Sequence, residues 1–432
     1  MIIQFISSNK FLLDILNKNP HTDEGLYLSP LKNGIVIGSC DAKHQYSVLF
    51  QDIAGSYQKD PDNQLDFQHL CNPLIILHIC TLLFNHLLKD RSTYQSGEIK
   101  WLGETRAAID TLPCRIILPS VYIDSSWYKN GSFLLTKYFP GLDVQAQSGK
   151  IYRIAVQGAS VYEAINLLCL TALFIHLTNI DALDKYIDAS FAQKYVRILT
   201  NLEHVPYFVG YLFIQKAVKN KKQFSLIKPV LENYLSTQGI SARLTHQSTQ
   251  LSRLDFITEK IGTTLPVLDI GAGEFAYYKR LINAGFLHSY YAVDKDARLE
   301  KLAENIMDRT GRDNLHFFLD LADVPRQEKI NIIMSEVIEH NELAEAAQLI
   351  KQALSFNFNQ IIISTPNADF NPFYFSTGMR HEDHHFEMTS QQFREFLEEY
   401  TKDQTGIKVS FAQVGDELNK ICPTQIAIIE KV

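Results

Sequence analysis

The sequence lacks the features of several large protein classes. No apolar run among its 432 residues reaches the roughly 20 residues that a membrane span needs. The start, MIIQFISSNK, has neither the basic residues nor the cleavage site of a signal peptide. None of the six cysteines forms a C-x-x-C pair, so neither a zinc knuckle nor a disulfide framework is indicated. We therefore expect a soluble protein of the reducing cytoplasm.

Basic charge is also scarce. The net charge is −7, and the residues from 241 onward contain 19 Lys and Arg against 28 Asp and Glu. A nucleic acid bound there would not be held by charge along a long stretch of its backbone. The composition, 46% hydrophobic and 21% charged, is typical of a globular chain, and the length indicates two or three domains.

The first half of the chain divides into two predicted regions. Residues 1–158 have a mixed α/β pattern, with a long apolar helix at 66–88. Its predicted strands are 2–7, 34–38, 46–52, 114–124 and 150–157. Residues 159–238 show helical spacing and predict a helical subdomain. The polar stretch 236–250 has the composition of a domain boundary.

Residues 245–432 alternate regularly between strands and helices. The predicted strands are 267–270, 290–293, 315–318, 330–334, 360–364, 408–414 and 425–430. Such alternation predicts an α/β fold, a doubly wound parallel sheet with helices on both faces. The last two strands form an antiparallel pair, as in the Rossmann-like S-adenosylmethionine (SAM) methyltransferase fold. The predicted fold class is thus a SAM-methyltransferase domain preceded by an α+β N-terminal region.

A glycine-rich turn follows the first of these strands. Asp269, Gly271 and Gly273 lie at a strand-to-helix turn, where glycine lets the backbone approach a ligand. Asp294 ends the next strand, 21 residues after Gly273, a spacing that suits a carboxylate bonded to ribose hydroxyls. Ala276 occupies the third glycine position of the dinucleotide fingerprint, so the pattern favours SAM over NAD. A tight turn of any α/β domain is the alternative.

Two further polar residues allow two interpretations each. Asp320, just past the third strand, faces the adenine amino group or caps a helix. Arg380 contacts a substrate phosphate or is an ordinary solvated arginine.

A cluster of potential metal ligands follows the fourth strand. Glu336, Glu339 and His340 stand at i, i+3 and i+4, positions that share one face of a helix. A charged surface helix is the alternative, but the segment begins at the carboxyl end of a central strand, where ligands bind in open α/β sheets.

A long loop, residues 365–388, follows the fifth strand and carries more ligand candidates. Loops of this length are usually functional. His381, His384 and His385 lie within five residues, and not all of them can be ligands. Thr389 and Gln392 predict a capping box that opens the next helix. Two carboxylates and two imidazoles would leave two positions open on a six-coordinate divalent ion, where ribose hydroxyls would fit.

Four motifs occur in an order and spacing that resemble one known family. They are EVIEH (336–340), STPNADFNP (364–372), DHHFEMT (383–389) and PTQIAI (423–428). Together they resemble the 3′-terminal RNA ribose 2′-O-methyltransferases of the Hen (Hua enhancer) type, in their bacterial RNA-repair branch. The resemblance covers residues 245–432, and it is much weaker before them, best at 160–168.

The resemblance implies a set of site residues and cofactors. It implies SAM as methyl donor and a divalent metal, Mg²⁺ or Mn²⁺, bound by Glu336, Glu339, His340 and His384. Its implied substrate is an RNA 3′ end, with contacts from Arg253, which matches an arginine usual in the family, and from Thr365, Pro366 and Asn367; we add Arg380 as a candidate contact. The partners it implies are a polynucleotide kinase-phosphatase and an RNA ligase, docked or activated by the N-terminal half. The sequence departs from the family at Met388, where Trp is usual, and at Ala272, where Cys is common.

Three other functions stay open at this point. One is a SAM methyltransferase that acts on a small molecule or a protein. Another is a scaffold subunit of an RNA-repair complex, because residues 1–240 carry no catalytic signature. An NAD-dependent oxidoreductase is disfavoured by Ala276 and by the carboxylate–imidazole cluster.

Overall fold

The computed structural model describes most of the chain. The described residues are 1–18, 25–31, 34–42, 44–52, 71–95, 99–101, 104–106, 110–124, 139, 141–179, 196–203, 205, 207–218, 220–375 and 378–432. The chain divides into two compact units, Met1–Gln238 and Gly239–Val432.

An antiparallel sheet of seven strands forms the frame of the first unit. Its strands are β1 (Ile2–Ser7), β2 (Gly25–Leu31), β3 (Gly34–Ala42), β4 (Gln45–Asp52), β7 (Cys114–Tyr122), β8 (Asp143–Ser148) and β9 (Ile151–Gly158). They are arranged in the order β2-β3-β4-β1-β7-β9-β8. Two short strands, β5 (Ile99–Trp101) and β6 (Glu104–Arg106), pair separately. The predicted α+β character of this region is confirmed.

The described residues of the first unit also form six helices. They are α1 (Leu12–Ile15), α2 (Pro73–Leu83), α3 (Arg91–Gln95), α4 (Val161–Thr178), α5 (Tyr207–Ala217) and α6 (Lys221–Thr237). Helix α4 begins where the Oγ of Ser160 accepts a hydrogen bond from the backbone N–H of Glu163. It packs against β7, β9 and α2. By length and composition α4 could span a membrane, but 89% of it is buried inside the unit, as in a core helix.

The long helix expected at 66–88 is shorter in the structure. Helix α2 begins at Pro73, after a cap by Asn72, and a separate 3-10 turn follows at Asn85–Leu88. The break falls at Phe84, whose ring packs 5.2 Å from that of Phe5. Residues 66–70 of the predicted helix lie outside the described residues.

The second unit is a doubly wound sheet, as predicted. Its strands are β11 (Val267–Ile270), β12 (Tyr290–Val293), β13 (Leu315–Phe318), β14 (Ile330–Ser335), β15 (Phe358–Pro366), β16 (Ile407–Val414) and β18 (Thr424–Lys431). Their order is β13-β12-β11-β14-β15-β18-β16, and β18 runs opposite to the other six strands. Two short strands, β10 (Ala242–Arg243) and β17 (Glu417–Leu418), form a small sheet beside it.

Helices lie on both faces of this sheet. On one face pack α7 (Thr249–Ile261), α8 (Ala276–Asn283) and α9 (Arg298–Thr310); on the other pack α10 (Leu343–Leu354) and α12 (Ser390–Thr401). The short helix α11 (Asn371–Tyr374) lies in the loop after β15, and α12 opens with the predicted Thr389–Gln392 capping box. Because β11, β12, β14 and β15 are parallel, their carboxyl ends meet at one edge of the sheet.

Candidate active site

The glycine turn after β11 is tightly packed at its first glycine. Gly271 has φ +73°, and a Cβ at this position would lie 2.4 Å from Cγ2 of Val337. Gly273 also has a positive φ, +50°, but a Cβ there would meet open space. Only the first position is therefore restricted to glycine by both conformation and space.

Asp294 holds this turn from the neighbouring strand. Its Oδ2 accepts a hydrogen bond of 2.9 Å from the backbone N–H of Gly273, and its Oδ1 accepts one of 3.0 Å from Asp296. The carboxylate thus lies beside the glycine turn, at the position expected for a ribose-binding acid.

Asp269 and Asp320 are both committed to contacts within the protein. Asp269 is buried and accepts a hydrogen bond of 2.5 Å from the hydroxyl of Tyr290. Burial raises the pKa of Asp269 to about 7, and the charge of Asp294 adds to the effect. Asp320 caps a short 3-10 helix by accepting from the backbone N–H of Ala322, the capping alternative that the sequence left open.

The segment that carries Glu336, Glu339 and His340 is not an α-helix, so the expectation of one shared helical face is wrong. Glu336 has a left-handed φ of +56°, and a 3-10 helix spans only Ile338–His340. The backbone N–H of Glu336 donates to the carbonyl of Ser364, which keeps the turn against β15 before α10 begins at Leu343. The tight turn, rather than helical periodicity, directs these side chains.

Three of the four predicted ligands converge in spite of this. Ligand atoms of Glu339, His340 and His384 all lie within 4.8 Å of one another. Glu339 is fully buried; its Oε2 accepts from the hydroxyl of Thr365 at 3.0 Å, while its Oε1 has no hydrogen-bond partner among the described residues. Burial and the nearby charge of Glu336 raise the pKa of Glu339 to about 8. A buried oxygen without a donor is a suitable ligand for a cation.

The loop after β15 supplies one histidine to this cluster. His384 is buried, whereas His381 is exposed and contacts Asp383. His385 directs its ring to Glu342, and its backbone N–H donates to the carbonyl of Glu339. Of the three histidines that the sequence left open, His384 is therefore the one that enters the cluster.

Glu336, the fourth predicted ligand, lies beside the cluster and is paired elsewhere. One of its oxygens is 3.0 Å from the guanidinium of Arg253, and the other accepts from the hydroxyl of Ser364 at 3.3 Å. The hydroxyl of Ser364 also contacts that of Ser335, which in turn accepts from Tyr277. Arg253, predicted to touch substrate, thus contacts a predicted metal ligand.

The remaining candidate substrate residues make internal contacts. The carbonyl of Pro366 accepts from the side-chain amide of Gln425, and the buried side chain of Asn367 donates to the carbonyl of Cys422. The guanidinium of Arg380 donates to the carbonyls of Asn367 and Pro423, so Arg380 is neither free for a phosphate nor plainly solvated. Neither prediction for Arg380, a phosphate contact or a solvated side chain, included the backbone carbonyls that it binds.

Sequence reasoning missed two carboxylates that contact the histidines of the cluster. An oxygen of Asp383 is 3.3 Å from Nδ1 of His340, and an oxygen of the buried Glu387 is 2.6 Å from Nδ1 of His384. Both acids stand in the DHHFEMT motif, within three residues of a histidine. That spacing is the signal that could have identified them.

Met388, the departure from the usual Trp, also lies within the fold. Its side chain is buried in the core between sheet and helices, and its carbonyl accepts from Gln425. The residue therefore contributes to packing in this chain.

The strand order and the polar residues at the carboxyl edge of the sheet show that the second unit has the SAM-dependent methyltransferase fold. The model of the Hen1 N-terminal domain family matches residues 2–236. Two chains from solved structures of the Pnkp1/Rnl/Hen1 complex each match this chain over 100% of its length and over 100% of their own. One, described as an RNA repair complex, has 43% identity and a TM-score of 0.81; the other has 44% and 0.78. The chain belongs to the Hen1 family.

Proposed function

We propose that this protein is a cytoplasmic, metal-dependent SAM methyltransferase that methylates the 2′-hydroxyl of the 3′-terminal ribose of RNA during RNA repair. The observation that carries the proposal is the convergence of Glu339, His340 and His384 within 4.8 Å, at the sheet edge that also bears the glycine turn. Membership of the Hen1 family supports the same reaction class.

The cluster fits a divalent ion by its chemistry. It offers a carboxylate and two imidazoles, and the buried Oε1 of Glu339, which has no hydrogen-bond partner among the described residues, would serve as a ligand atom. Glu336 lies close enough to influence Glu339 and would be the fourth ligand after exchanging its Arg253 contact. A bound Mg²⁺ or Mn²⁺ would supply Lewis-acid polarisation of a substrate hydroxyl.

The methyl donor belongs to the glycine turn. The open space at Gly273 and the carboxylate of Asp294 would receive the ribose of SAM, whose sulfonium supplies the methyl group. In the cofactor site, Gly271 would allow the close packing of the turn against Val337, and Asp269 would hold the end of β11 through its hydrogen bond from Tyr290. Asp320 would contact the adenine while retaining its helix cap.

The ribose at the 3′ end of an RNA has two free vicinal hydroxyls that it could present to this cluster. An internal nucleotide lacks the free 3′-hydroxyl, and DNA lacks the 2′-hydroxyl. Thr365, Pro366 and Asn367 would border the terminal nucleotide, with Thr365 also holding Glu339. Arg253 and Arg380 would act at its edges, Arg380 by fixing the loop rather than by binding phosphate directly.

The reaction is tested with three RNAs of one sequence. Purified protein is incubated with methyl-labelled SAM, Mn²⁺ and RNA ending in a 2′,3′-diol, a 3′-phosphate or a 2′-deoxyribose. We expect label only in the diol RNA, and none after periodate oxidation of the diol or with chelator. Label that enters all three RNAs, or none of them, contradicts the proposed substrate.

The metal assignment is tested by separating transfer from SAM binding. His384→Ala and Glu336→Ala should abolish methyl transfer and leave the SAM Kd within about twofold, because the hydrogen bonds of these side chains go to Glu387, Arg253 and Ser364 and not to the glycine turn. Glu399→Ala, a change on the exposed face of α12, is the matched control. Equal loss of both activities would mean that these residues support the fold instead.

We further propose that the chain works in a complex with a kinase-phosphatase and a ligase, docked by residues 1–238. Its full-length likeness to a chain of the Pnkp1/Rnl/Hen1 complex supports this. Co-elution of the three purified subunits tests it. A chain that co-elutes but shows no turnover with the diol RNA would be a scaffold subunit, the alternative that the sequence left open.

A further inference from the structure

The buried carboxylate of Glu387 is the centre of a small hydrogen-bond network next to His384. Its side chain is 1% exposed and that of His384 is 8% exposed. Oε1 of Glu387 lies 2.6 Å from Nδ1 of His384 and accepts from the backbone N–H of Arg380 at 2.7 Å. Its Oε2 accepts from Nδ2 of Asn371 at 2.5 Å.

The network fixes which atoms carry protons. The backbone nitrogen and Nε of Arg380 can only donate. Because Nε of Arg380 donates to Oδ1 of Asn371 at 2.8 Å, the amide of Asn371 must present its Nδ2 to Glu387. Both oxygens of Glu387 therefore receive N–H donors, Oε1 from the backbone of Arg380 and Oε2 from the amide of Asn371. A carboxylate surrounded in this way is an acceptor only, so Nδ1 of His384 donates in their 2.6 Å contact.

The geometry points to Glu387 as a positioning residue that fixes His384 in its Nδ1–H tautomer and leaves the Nε2 lone pair for the ion. The inference rests on the proposed metal site and extends it to a residue that contacts no substrate. Metal-binding histidines commonly donate their second N–H to a carboxylate, which sets ring orientation and basicity. The equivalent contact of His340 with Asp383 is longer, 3.3 Å, and exposed, so the contact between His384 and Glu387 constrains its histidine more strongly.

Glu387→Gln disturbs this network with little change in volume. A glutamine has one acceptor oxygen, whereas the three neighbours need an acceptor on both sides. If the amide nitrogen of the new glutamine faces Asn371, it meets the Nδ2 donor of that residue. If it faces His384, Nδ1 of the histidine must accept a hydrogen bond, and the proton then lies on Nε2, the atom directed at the cluster. Losing such a support typically weakens metal binding about 10- to 100-fold.

The first measurement is the Mn²⁺ Kd of the full chain by electron paramagnetic resonance. We expect a Kd 10- to 100-fold higher for Glu387→Gln and an unchanged Kd for Glu399→Gln, an exposed control on α12. A Kd within twofold of wild type in a folded Glu387→Gln protein overturns the inference.

The second measurement needs no variant at Glu387 and no metal. Histidine-selective ¹⁵N spectra of the metal-free wild type, with His384→Gln to assign the signal, report the tautomer of His384. We expect Nδ1–H, and an Nε2–H signal overturns the inference. If the spectrum shows Nδ1–H but the wild type binds no Mn²⁺, the proposed metal site fails while the tautomer assignment stands.

Discussion

Replacing Asp269 by asparagine should make the second unit more stable at alkaline pH. Asp269 is a buried carboxyl whose pKa is raised from 3.8 to about 7, mainly by burial. The folded state therefore holds its proton more tightly than the unfolded state does. The stability that the protonated carboxyl provides is fully present below pH 3.8 and is lost as the pH rises through 7.

The size of the effect follows from the shift. About three pKa units at 1.36 kcal/mol each amount to roughly 4 kcal/mol above pH 8, and about 1.5 kcal/mol at pH 5. Asn removes this penalty but weakens the bond from the Tyr290 hydroxyl, at a cost of about 1–2 kcal/mol. The variant should gain about 2–3 kcal/mol at pH 8 and close to nothing at pH 5.

Differential scanning calorimetry of the full chain measures this as a Tm difference. For a unit of this size the gain corresponds to roughly 5–10 °C at pH 8. Asp308→Asn, at an exposed position of α9, is the matched control and should not change the pH profile. A Tm difference that is the same at pH 5 and pH 8, or a variant that is less stable at pH 8, would refute the reasoning.

Three other changes test the carboxyl edge. Gly271→Ala should lower the stability of the second unit by several kcal/mol in calorimetry, because its Cβ would lie 2.4 Å from Val337, whereas Gly273→Ala meets open space and should cost about 1 kcal/mol; equal losses contradict this. Asp294→Asn should weaken SAM about 10- to 100-fold in titration calorimetry, because charge-assisted bonds are lost; an unchanged Kd speaks against its role. Val337→Ala should lower kcat about 10-fold or more with the SAM Kd unchanged; Val324→Ala, a buried control, should not.

The sequence predicted the second unit well because its central strands are fully buried. β11 (VLDI) and β12 (YYAV) have the predicted bounds, since each is a short buried run that ends at a glycine or an aspartate. β13 (LHFF) also has the predicted bounds, although only its first residue is buried. β2, β5, β6 and β8 were missed in the first unit. β8 is the polar, mostly exposed segment DVQAQS at the edge of the sheet, and its pairing with β9 is a tertiary contact that its own sequence does not signal.

The site was predicted in residue type better than in conformation. Glu339 and His340 were identified by spacing and His384 through the family resemblance, but the geometry assumed for Glu336 was helical, whereas a left-handed backbone conformation places it beside Arg253. Periodicity cannot detect a single left-handed residue with a side chain. Arg380 and Glu387 show a related limit, because their partners are backbone atoms and side chains up to 43 residues away along the chain.

The two proposed halves of the site are joined by one contact. β11 and β14 pair in register, with Ile270 beside Met334, so the glycine turn and the turn at 336–340 leave the sheet side by side. Val337 fills the space that a side chain at Gly271 would need. Methyl transfer requires donor and acceptor atoms to be held about 3–3.5 Å apart. A turn that carries Glu336 and Glu339 and is packed directly on the glycine turn would fix the distance between the proposed metal site and the proposed SAM site, and the same packing explains why position 271 must be glycine.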